Sequence, residues 1–83
     1  MSKPERSKGE LKFIDQMTRR LCVKWAVESV ENGGTLPPED FTDTAISMDP
    51  YKTHALTKGW IGKRLPRKLT ESGWGRAIAW LKK

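Results

Sequence analysis

The sequence predicts a mainly α-helical domain, with three to four helices and a small two-stranded β-hairpin set before the last of them. Three observations carry that expectation. Helix-start and helix-stop residues punctuate the chain, and apolar residues recur between them at spacings of three and four. One segment, 59–70, breaks that pattern with glycine, two β-forming residues and a Leu65-Pro66-Arg67 turn. At 83 residues the chain fits one folding unit with one modest core. Its four tryptophans help fill that core, since each can bury ~150–250 Å².

The elements follow in order. Residues 1–6 read as a flexible basic tail and 7–83 as a single domain. Ser7-Lys8-Gly9-Glu10 has the form of a capping box, in which a serine and a glutamate three residues later satisfy orphan backbone donors at a helix start. Leu11, Ile14, Met17, Leu21 and Trp25 then share one helical stripe, widened by Cys22, Ala26 and Val30. Asn32-Gly33-Gly34 ends this helix. After an extended connector, Pro38 is suited to the first position of a short helix, with Glu39 and Asp40 at its positive end and Phe41 with Ala45 or Ile46 facing inward. Asp49-Pro50 repeats the start signal, and Gly59 stops that helix after Lys58. Residues 60–64 and 68–70 read as two short strands that lean on the helices through Ile61 and Leu69. Thr70 caps a last helix over 71–82, with Trp74, Ala77, Ile78 and Leu81 as its apolar stripe.

Charge is unevenly spread. Lys and Arg total 16 against 10 Asp and Glu, for a net charge of +6. The stretch 28–49 holds Glu28, Glu31, Glu39, Asp40, Asp43 and Asp49 and no Lys or Arg, whereas 52–68 carries positive charge only. That asymmetry is what a phosphate-facing surface requires. One cysteine, Cys22, allows no internal disulfide and suits a reducing, cytoplasmic setting. No apolar run approaches the ~20 residues of a membrane span, and the N-terminus lacks an apolar signal core.

Where Lys58-Gly59-Trp60-Ile61 is followed by Leu69-Thr70-Glu71-Ser72-Gly73, the sequence resembles winged helix-turn-helix transcription regulators of the MarR and PadR type. The resemblance covers about the last third of the chain. It implies a recognition helix over about 49–58, a basic wing over 60–70 and a role in binding duplex DNA, as a regulator of transcription or an accessory factor of recombination or phage type. The long helices with which those families dimerise have no counterpart here, which leaves the oligomeric state open.

The physical case stands beside the resemblance. A helix fits the major groove, where outward side chains reach base edges. Thr53, His54 and Thr57 are read as that outer face, with Lys58 flanking it and Tyr51 and Lys52 near phosphate in the first turn. Lys63, Arg64, Arg67 and Lys68 cluster in the expected wing, where cations position a protein on the backbone without selecting sequence. The alternatives are a protein-interaction module or phage-type inhibitor on the same fold, an RNA-binding domain, or a merely solvated turn. An enzyme is not expected. One histidine and one cysteine cannot make a zinc site, no phosphate-cradling glycine loop is present, and no cofactor is implied. Cys22 reads as core and His54 as a surface polar residue, while Trp60 is either core or half-exposed beside the wing.

Overall fold

Four α-helices and one 3-10 turn make up the architecture of residues 7–83, the part of the chain that the computed structural model describes; the basic tail expected at 1–6 lies outside it. Helix α1, Lys8–Glu31, starts where the capping box places it, with the Ser7 hydroxyl accepting the Glu10 N–H at 3.1 Å. Pro38 opens only a 3-10 turn, Pro38–Asp40. The chain then restarts as α2, Asp43–Met48, capped by the Thr42 hydroxyl, which accepts the Ala45 N–H at 3.1 Å. Helix α3, Pro50–Lys58, has Asp49 as its N-cap and stops at Gly59, whose φ of 76° is the left-handed conformation glycine adopts most readily. Helix α4, Glu71–Leu81, is capped by Thr70.

The expected wing does not form. Among the described residues there is no strand or sheet, only a single antiparallel bridge between Ile61 and Leu69. Its neighbours are the Gly62 N–H to Lys68 carbonyl bond, 2.8 Å, and the Thr70 N–H to Trp60 carbonyl bond, 3.0 Å. The ladder cannot lengthen in either direction. Toward the loop tip, the Gly62 carbonyl accepts from the Arg67 side chain, the Arg67 carbonyl accepts the Leu36 N–H at 2.9 Å, and Pro66 has no N–H to give. Toward the base, Gly59 belongs to the end of α3 and Glu71 to the start of α4. The winged helix-turn-helix reading is corrected accordingly: among the described residues the only regular elements are helices, and 62–68 is an irregular loop.

The core joins Cys22 and Trp25 of α1 to Leu36, Phe41, Ile46, Ala55, Trp60, Ile61, Leu69 and Ala77. The buried stripe of α1 runs through Ile14, Thr18, Cys22, Trp25 and Ser29. It is rotated from the expected one, so that Leu11 and Val30 lie exposed. Thr18 is tolerated inside because its hydroxyl donates to the Ile14 carbonyl at 2.7 Å. Trp25 meets Phe41 edge to face, with ring centres 5.4 Å apart. Helix α4 comes so near the end of α3 that a Cβ on Gly73 would stand 2.1 Å from the Trp60 carbonyl oxygen. Only a residue without a side chain fits there.

Candidate nucleic-acid interface

The basic segment 52–68 divides between inside and outside. Arg67 is the exception to its sequence neighbours, being 5% exposed. Its Nε donates to the Phe41 carbonyl at 2.8 Å, Nη1 donates to the Gly62 carbonyl at 2.9 Å, and Nη2 donates to Asp43 Oδ1. The planar guanidinium suits this fork, in which one side chain ties the acidic connector to the basic loop. Arg67 is therefore turned away from solvent phosphate, and the four cations expected in the wing are reduced to three. The sequence does contain a signal for this. Residues two apart on an extended segment face the same way, so a core-facing Leu69 places Arg67 inward and Lys68 outward.

The exposed remainder of the loop is compact. Lys63, Arg64 and Lys68 share one shallow surface with Gly62, Leu65 and Pro66. Lys58, at the end of α3, is exposed as well. Lys52 lies elsewhere. Its ammonium stands 5.2 Å from the centre of the Phe41 ring and 3.9 Å from Asp49 Oδ2, within a depression also bordered by Glu28 and Asp40. Acid closes around Lys52 and leaves the loop cations without it.

The outer face expected of α3 is reduced. His54 points to α1, with Nε2 2.9 Å from Asp15 Oδ1 and its ring edge-on to Trp60 at 5.6 Å. Thr53 is exposed, but its hydroxyl donates to the Ile46 carbonyl at 2.6 Å. Thr57 is exposed, and Tyr51 is half-buried beside a groove that Met17 and Leu21 also line. Of the three groups read as base-reading, one is packed and one has its hydroxyl bonded within the fold.

A network that the sequence reading did not single out surrounds Asp15. Arg19 Nε donates to Asp15 Oδ2 at 2.8 Å, and the same guanidinium lies 5.6 Å from the Trp60 ring centre. The i, i+4 spacing of Asp15 and Arg19 is the signal for the first of these contacts. Burial pushes the Asp15 carboxyl up, but hydrogen bonds from His54 and Arg19, with the Arg19 charge, more than offset it and hold the group below its ordinary value. Trp60 is buried beneath this network, which settles it as core. Burial also pushes the Cys22 thiol up to about 11, against the opposing pull of Arg19 and Arg76. A thiol so placed is packing.

Among the described residues no three His, Cys, Asp or Glu side chains come together as a metal-ligand set. No helix among them is long and apolar enough to cross a membrane. Comparison with protein-family models, with curated proteins and with solved structures gives no match.

Proposed function

We propose that the protein is a non-enzymatic nucleic-acid-binding protein that holds duplex DNA by its backbone through the loop 62–68. One observation carries the reading: Lys63, Arg64 and Lys68 project from one shallow surface whose base is fastened to the core by Arg67. A cationic surface held in one shape loses little side-chain and loop freedom on docking. Phosphate contacts of this kind give affinity and register but no sequence choice. With His54 packed and the Thr53 hydroxyl engaged, base reading has little support, so the reading is of weakly selective binding.

Fluorescence anisotropy of a labelled duplex at several salt concentrations tests this. Each phosphate neutralised contributes about −0.9 to the slope of log K against log salt, so replacing Lys63, Arg64 and Lys68 together by alanine should flatten the slope by about 2.7. An unchanged slope in the triple variant, or no salt-dependent binding by the native protein, removes the proposal. Competition with double-stranded RNA decides which duplex is preferred.

A further inference from the structure

Helices α1 and α4 carry a second surface that shares no residue with the basic loop. Met17, Leu21 and Val23 of α1, with Tyr51 of α3 and Trp80 and Leu81 of α4, line an open groove of about 630 Å³. Leu81 is 69% exposed and stands beside the other apolar side chains of the groove rather than singly, which is what distinguishes a patch from an isolated surface leucine. Arg20 and Lys24 also line the groove, no acidic residue does, and neither cation makes an ion pair with a described residue. Glu28, Asp40 and Asp49 gather around Lys52 in the adjoining depression, which shares Leu21 and Lys24 with the groove, and Asp15 is engaged by Arg19 and His54. The last residue, Lys83, adds a third cation near the rim: its ammonium is 3.5 Å from Gln16 Oε1 and 4.3 Å from the centre of the Trp80 ring.

We propose that this groove is the docking site for an acidic amphipathic helix of a partner protein. Charge complementarity selects the sign of the occupant, since an apolar floor bordered by cations alone favours a helix with carboxylates flanking its apolar stripe. Length selects the form. Positions 17, 21 and 24 of α1 span two helical turns, about 10 Å, which matches apolar anchors at i, i+4 and i+7 of a bound helix. A single strand of nucleic acid fits less well, because stacking needs an open aromatic face and the Lys83 ammonium already covers Trp80. The site is independent of the loop 62–68.

The probe is a synthetic peptide of roughly 16 residues with leucine at helical anchor spacing and glutamate elsewhere, beside a twin in which lysine replaces every glutamate. Backbone amide shifts of the whole protein, followed during titration, should move at Met17 to Lys24, Tyr51, Trp80 and Leu81, with the acidic peptide binding at least about tenfold tighter than its twin. Leu81→Asp should weaken binding about tenfold, and Arg20→Glu with Lys24→Glu should reverse the preference. All three positions lie on the surface, so the shift pattern itself confirms that each variant is folded. Lys63→Glu with Arg64→Glu should leave peptide affinity unchanged. The inference is overturned by equal binding of the two peptides, by shifts centred elsewhere, or by no saturation below about 1 mM. It is also overturned if the free protein pairs with a second copy through these residues, or if oligothymidine shifts the same amides at lower concentration than the acidic peptide.

Discussion

Replacing Arg67 by alanine separates a structural cation from a binding one. The side chain gives a charged donor to each of two carbonyls, Phe41 and Gly62, and a third to Asp43. A hydrogen bond to a charged group contributes about 1.5–3 kcal/mol, and a buried carbonyl left without a partner costs about 1–3 kcal/mol. The Asp43 side chain is 90% exposed, so its ion pair adds no more than about 0–1 kcal/mol. Partial access of water to Gly62 relieves part of the loss, and Arg67→Ala should destabilise the fold by about 3–4 kcal/mol. For a domain of this size that corresponds to a fall in Tm of roughly 12–30 °C. Asp43→Ala should cost less than about 1 kcal/mol, and Arg67→Lys should fall between, because one ammonium cannot reach both carbonyls. Urea unfolding followed by tryptophan fluorescence gives the free energies, and circular dichroism gives the melting curves. If Arg67→Ala unfolds within about 1 kcal/mol of the native protein, or Asp43→Ala costs as much as Arg67→Ala, the guanidinium does not act as the anchor described. The salt slope for duplex DNA, taken well below the variant's melting point, should stay at the native value. A loss of about 0.9 would mean that Arg67 reaches phosphate after all.

Three further outcomes are expected. Gly73→Ala should destabilise by about 1–3 kcal/mol, since its Cβ would meet the Trp60 carbonyl, whereas Gly75→Ala, with open space around its Cβ, should stabilise by about 0.5–1 kcal/mol in the same unfolding assay. Cys22, with its thiol raised to about 11, should resist a thiol reagent at neutral pH in the folded protein and react at once in denaturant. Asp15 has a folded pKa below its unfolded one, so its ionised form adds stability above about pH 4 that fades as pH falls through the lowered value; Asp15→Asn should flatten that acid limb of a stability–pH curve.

The helix boundaries were legible because caps are local chemistry. Ser7, Asp49, Thr70 and Gly59 act on backbone groups within four residues of themselves, and each does in the structure what its type dictates. Thr42 belongs to the same class and carries the same signal, but the preceding Pro38-Glu39-Asp40 start obscured it. The face of α1 was read less well. Apolar spacing marks a stripe without fixing its centre, and the partners set against α1 moved that centre toward Thr18 and Ser29. The hairpin failed for a reason no propensity contains: main-chain groups at 62 and 67 bond to a side chain and to residue 36 instead of to each other. His54 was misplaced in the same way, since its partner Asp15 is 39 residues distant. Of the candidate site, Lys63, Arg64 and Lys68 share one surface, while Arg67 is held by Phe41 and Asp43, remote in sequence, and Lys52 lies against Phe41 and Asp49.

The Leu36 N–H bond to the Arg67 carbonyl, taken with the Arg67 fork, has a consequence for how the surface can change. The tip at 63–66 is bounded by fixed posts at Gly62 and Arg67, and its side chains are exposed. Substitutions there alter charge and shape at the rim with little effect on the interior. The molecule thus has a position where new contacts can be tried cheaply, beside an arginine whose three bonds leave little freedom for change.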